Sequence, residues 1–176
     1  MKKTKRIALT GILTALAIAL SALESLFTPL LPVGAKPGLS NIVTMYTAKT
    51  LGAGYALSVA VVKSLFVLIT RGTTAFAMSL AGGVASVGVM VLLIKFGKTK
   101  IGCIGIGVAG ALTHNLMQLL VSYLIMNVNV LYYAPALIVF ALVSGSITGV
   151  LLHVTVRTLE KRTADAGINI DEKDEQ

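Results

Sequence analysis

The sequence predicts an all-α integral membrane protein, a six-transmembrane-helix bundle with both termini in the cytoplasm. First, the 176 residues are 56% hydrophobic and 12% charged, with a mean hydropathy of +0.89, which is far too apolar for a soluble domain of this size. Second, residues 72–94 and 101–156 contain no Asp, Glu, Lys or Arg, and each run exceeds the roughly 20 residues that a helical span requires. Third, the basic residues fall in short clusters between apolar runs, as membrane topology demands. A secretory signal, whose basic start and apolar core "MKKTKR" and "IALTGILTALAIALSAL" imitate, would account only for the beginning of the chain.

Length and breakers place helices at about 7–27, 38–51, 53–70, 74–94, 101–126 and 132–157. "TPLLPVGAKPG", with three of the four prolines, reads as a structured loop; "GAGY", "RGTT", "KFGKTK" and "NVNV" read as turns. Residues 1–6 form a basic cytoplasmic start, 7–157 the membrane domain, and 158–176 a polar, disordered cytoplasmic tail. Lys2, Lys3, Lys5, Arg6, Lys95, Lys98, Lys100, Arg157, Lys161 and Arg162 then share one side, with Lys49 near it, against Lys36 and Arg71 on the other. That excess sets the orientation, in the cell membrane, as a multi-pass chain. The second helix is anomalous, because the stretch between Lys36 and Lys49 is about 18 Å of helix against roughly 30 Å of hydrocarbon.

Several functions are disfavoured. The net charge of +8 lacks a basic stripe with interleaved aromatics, so no nucleic-acid partner is expected. "GIGVAG", residues 105–110, matches a dinucleotide fingerprint literally but lies inside an apolar span without a preceding strand or a following acid. No phosphate-binding lysine motif occurs, so no cofactor is expected and any ATP must be bound by another chain. The single cysteine, Cys103, excludes an intramolecular disulfide and reads as a small packing residue. His114 and His153 fall toward opposite ends of their helices and form no metal pair.

The polar residues inside the spans carry the functional expectation, since ionisable groups there are costly and usually face a cavity or a partner. Glu24, in "SALESLF", is the sole acid before Glu160. It lies about 26 Å along the first helix, near the outer interface, while Lys63 sits roughly 16 Å up the third helix and His114 about 20 Å up the fifth. Gln118 follows His114 on the same face, Asn115 adjoins it, Lys36 and Asn41 lead into the second helix, and Arg71 ends the third. Together Glu24, Lys36, Asn41, Lys63, Arg71, His114, Asn115 and Gln118 outline a polar pocket open to the outside, in which Lys63 pairs with Glu24 or with a ligand. Three cationic side chains against one acid favour an anionic small solute.

Small residues mark close helix contacts. Gly11, Ala15 and Ala19 recur every four residues on the first helix, and Gly105-Ala109-Thr113 and Ala141-Gly145-Gly149 form similar ladders. Any of them can serve internal packing or the docking of a partner.

"LTGILTALAIALSALESLFTPLLPVGAKPGLSNIVTMYTAKTLG" and "GALTHNLMQLLVSYLI", with their L-E-S-L, P-G-x-x-N-I-V-T and H-N-x-x-Q-L blocks, resemble a bacterial membrane family. It is labelled heptaprenyl diphosphate synthase component I or Gx transporter, and is related to the S components of energy-coupling factor transporters. The likeness extends over about residues 5–160; Pro37 after Lys36 departs from a pattern that tends to read V-K-L-G-L-A-N-I-V. The resemblance implies an S-component-like fold in which Ala15 and Ala19, on the stripe that starts at Gly11, dock on a transmembrane coupling protein driven by ABC-type ATPase subunits. The polar pocket then becomes the substrate site.

Prenyl chain elongation itself needs aspartate-rich motifs to hold Mg²⁺, and no aspartate precedes Asp165. The chain is therefore expected to be no enzyme. The alternatives to solute uptake are a noncatalytic membrane subunit for heptaprenyl diphosphate or isoprenoid-quinone synthesis, and a membrane anchor for a redox or flavin protein.

Overall fold

The computed structural model describes residues 3–27, 38–96, 102–126, 132 and 134–165. Within them the long apolar runs fold as α1 (Lys3–Phe27), α2 (Leu39–Thr50), α3 (Ala53–Phe96), α4 (Cys103–Met126) and α5 (Ala134–Asp165). All except α2 are long and apolar enough to cross a membrane. The surface and interior are reversed relative to a soluble protein. Ile12, Ile69 and Leu124 are largely exposed, whereas Glu24, Lys63, His114, Gln118 and many serines and threonines are buried. An all-α membrane protein is the result, with lipid as the solvent of its outer surface.

The six separate helices expected become five, because the turn placed at "RGTT" is a single residue. α3 has 44 residues, about 66 Å if straight and over twice the hydrocarbon thickness. Gly72 breaks it, with φ 85° and ψ −178°, a conformation open essentially to glycine alone. The two halves then fold back side by side. The Ser64 hydroxyl donates to Ser79 Oγ at 3.3 Å, and Ala56 and Ala60 pack with Val87 and Ile94.

Two helix ends also lie beyond their expected limits. α1 begins at Lys3 rather than 7, and α5 runs on to Asp165 rather than stopping at 157. The flanking Lys, Arg, Leu, Glu and Ala residues are good helix formers, so helicity outlasts the apolar run that hydropathy measures. The expected loop at 28–37, the turns at 97–100 and 127–130, and the tail after Asp165 lie outside the described residues.

α2 is the structural centre. It contacts α1, α3, α4 and α5, and Ser40, Asn41, Val43, Thr44, Met45, Thr47 and Ala48 are all buried. Its twelve residues do not have to span the bilayer, because other helices rather than lipid surround it. Thr44 and Thr47 donate their hydroxyls to the carbonyls of Ser40 and Val43, which satisfies these polar groups inside the bundle.

Contacts also sort the charges. Val43 packs with Leu9 and Leu13, while Ser40 meets Glu24, so α1 and α2 are antiparallel. Lys49 lies near Cys103, with Nζ donating to Sγ at 3.7 Å, and shares a cavity with Arg157. The N-terminal turn of α1, Lys49, Lys95 and Arg157 therefore gather at one end, and Glu24 and Arg71 lie toward the other.

α4 and α5 cross at glycines. A Cβ on Gly107 would stand 2.6 Å from the Gly145 carbonyl oxygen, and one on Gly145 the same distance from Val108 Cα. The ladder Ala141-Gly145-Gly149 is buried at this crossing as a packing face, but on α4 the contact residue is Gly107, and Gly105 is exposed. Gly145→Val is expected to lower stability by about 1–3 kcal/mol or more, since backbone has to move. Gly88→Ala, with no atom within 4 Å, should be neutral or better; melting of the purified protein in one detergent compares the two.

Candidate functional site

α1 carries Glu24 to the N-terminus of α2. That helix begins after Gly38, which has no side chain to cap it, and Glu24 supplies the missing acceptor from a neighbouring helix. The Ser40 amide donates to Glu24 Oε1 at 2.9 Å and the Ser40 hydroxyl to Oε2 at 3.2 Å. A carboxylate there answers both the unsatisfied first-turn N–H groups and the positive end of the helix dipole. Lys63 approaches from α3, donating to Ser40 Oγ at 3.2 Å and to Asn41 Oδ1 at 3.5 Å, and attracts Glu24 electrostatically. Glu24 and Lys63 are each only 3% exposed, so two buried side chains of opposite charge type are linked through the Ser40 hydroxyl.

A second polar group stands on α4. His114, Asn115 and Gln118 are all buried, and Gln118 Nε2 donates to His114 Nε2 at 3.0 Å. α3 comes close enough here that a Cβ on Gly82 would lie 2.9 Å from the His114 carbonyl oxygen. Asn115 Nδ2 and Gln118 Oε1 have no hydrogen-bond partner among the described residues. Leaving such atoms unpaired costs about 1–3 kcal/mol each. Ser144 and Thr148 of α5, near Gly38, add buried hydroxyls beside the first group.

Of the residues expected to form the pocket, Glu24, Asn41 and Lys63 are brought together, and His114, Asn115 and Gln118 make the second group. Glu24 is buried by the neighbouring helices. Arg71 is exposed beside Gly72 and does not join either group, and Lys36 lies outside the described residues. Among the described residues the cluster thus holds one acid and one base. Ser40, which bridges the pair, is the residue that composition and spacing missed; its position one turn before Thr44 on a short helix entered through glycine was the available signal. Gly11, Ala15 and Ala19 lie exposed on α1, with no atom within 4 Å of a Cβ on Gly11. Two cavities lie apart from this polar core, one lined by Lys49, His153, Val156 and Arg157 and one between α1, α2 and α5.

Removing one member of this linked pair removes an opposite charge that stabilises the other. Glu24→Gln and Lys63→Met are each expected to cost about 3–5 kcal/mol, and the double variant less than their sum. A double-mutant cycle on unfolding in detergent measures this, and strict additivity would show that the two charges do not act on each other.

A search for similar curated proteins finds no match. A family model described as heptaprenyl diphosphate synthase component I matches residues 13–155, the stretch that contains α2, both polar groups and most of α1 and α5. The chain belongs to the heptaprenyl diphosphate synthase component I family.

Proposed function

We propose that this protein is the membrane-embedded substrate-binding subunit of an uptake system of the energy-coupling factor type. In this reading α3 counts as two spans folded at Gly72 and α2 as a buried half-span, which is compatible with a six-helix S-component plan. The end bearing the N-terminal lysines, Lys49, Lys95 and Arg157 faces the cytoplasm under the positive-inside rule, which puts both termini inside and Glu24 toward the outside. The observation that carries the reading is a buried pair of amide atoms, Asn115 Nδ2 and Gln118 Oε1, without a hydrogen-bond partner among the described residues, in a helix long enough to span the bilayer. A structural role alone would have left them paired or replaced by apolar groups.

The ligand is a small polar solute, read by amides and hydroxyls rather than by a large apolar cleft. An anionic character is what Lys36 and Arg71 suggest in the sequence, since Lys63 is balanced by Glu24. Catalysis is not part of this role. The exposed stripe of Gly11, Ala15 and Ala19 is the docking face for a transmembrane coupling protein, itself driven by ABC-type ATPase subunits. The family description favours one second reading, a noncatalytic membrane subunit beside a soluble prenyltransferase.

Mass spectrometry of small molecules released from the detergent-purified protein tests the first reading. A stoichiometric polar solute is expected from the unmodified chain and at least about tenfold less from Asn115→Leu/Gln118→Leu, equivalent to ~1.4 kcal/mol. Ala15→Leu/Ala19→Leu should retain the solute but lose co-purification with the coupling protein. If no solute is retained, and long-chain prenyl product rises when a prenyltransferase is added, the second reading replaces the first.

A further inference from the structure

The basic end of the bundle holds a cavity apart from both polar groups of the core. Lys49 of α2 and His153 and Arg157 of α5 surround a cavity of about 280 Å³, and all three side chains reach the surface. His153 and Arg157 are one turn apart and so face the same way. Lys49 Nζ has one described contact, the Cys103 sulfur at 3.7 Å, a weak acceptor that leaves most of its donor capacity for another group.

On the adjoining turns of the same helices the lining changes from cationic to apolar. Leu13, Leu16 and Leu20 of α1, Ile42 and Tyr46 of α2, and Leu152 of α5 line a groove of about 330 Å³. Tyr46 precedes Lys49 by one turn, and Leu152 precedes His153 in the chain. A cationic pocket followed along the helices by an apolar groove is the outline of an amphiphile with an anionic head. The groove residues of α1 lie roughly 130° around the helix from Gly11, Ala15 and Ala19, so a molecule here leaves that stripe uncovered.

We infer that this place binds an anionic phospholipid of the adjacent leaflet, its headgroup phosphate between Lys49, His153 and Arg157 and one acyl chain along the groove. Charge selects the lipid, because a neutral-headed lipid fills the groove equally well but meets three donors with no net charge to offer them. Basic pockets between membrane helices hold anionic headgroups on this physical basis. The inference is independent of the solute reading, since it uses neither polar group of the core.

The test uses the full chain in nanodiscs with equal phosphatidylglycerol and phosphatidylcholine of identical acyl chains. Lipid retained after mild detergent extraction is counted by native mass spectrometry. Phosphatidylglycerol is expected to exceed phosphatidylcholine by about tenfold, with the preference falling at high salt. Lys49→Ala/Arg157→Ala should bring the ratio close to one, while Lys49→Arg keeps it. Equal retention of the two lipids by the unmodified protein overturns the inference, whatever the variants do. Displacement of phosphatidylglycerol by inorganic phosphate at millimolar concentration also overturns it, because the site would then be one for a free anion. Preferential retention of farnesyl diphosphate over phosphatidylglycerol would contradict the assignment to a bilayer lipid.

Discussion

The carboxylate of Glu24 on the first turn of α2 is the contact on which the bundle's interior depends. A helix of twelve residues, too short to reach both faces of a membrane, has to end its backbone hydrogen bonding inside the protein. Its N-terminus begins at a glycine, so the acceptor must come from elsewhere, and Glu24 reaches it across from α1. The resulting buried negative charge is offset by the opposite charge of Lys63, which reaches it from α3 through the Ser40 hydroxyl. Three helices are tied at one point by a single requirement, the satisfaction of a buried helix end.

The rest of the packing leaves α2 in the middle. α3 can flank it with both halves because Gly72 turns the chain within one residue, and α4 and α5 can close together because glycines let their backbones meet. Lipid tails are as apolar as the side chains they touch, so close backbone approach and internal polar contacts, rather than hydrophobic exclusion, hold such helices together. The same economy of apolar contact leaves room inside for amides and hydroxyls. The polar group on α4 sits against Gly82, a residue whose lack of a side chain allows His114 and Gln118 to fit.

Much of this was legible in the sequence, for identifiable reasons. Hydropathy located the long apolar spans, although it read α3 as two helices; the isolated acid at Glu24 stood out in an apolar run, and the depth of Lys63 made a partner expected, either Glu24 or a ligand. What escaped has a common cause. Ser40 bridges the pair by geometry between helices, which no spacing along one chain segment reports. The choice of Gly107 over Gly105 at the α4 and α5 crossing is a matter of helix rotation, which a ladder of small residues does not fix. Arg71 looked like a member of the pocket because it ends a helix near the others, yet the turn at Gly72 leaves it exposed.

Hydrogen–deuterium exchange of the peptide covering α2 tests the central claim most directly. If Glu24 holds that helix end, Glu24→Ala should speed exchange of the amides at 39–44 while peptides from the α4 and α5 crossing keep their protection. Unchanged protection at 39–44 in a folded Glu24→Ala protein would contradict the account, because the first turn of α2 would then be held by something other than this carboxylate.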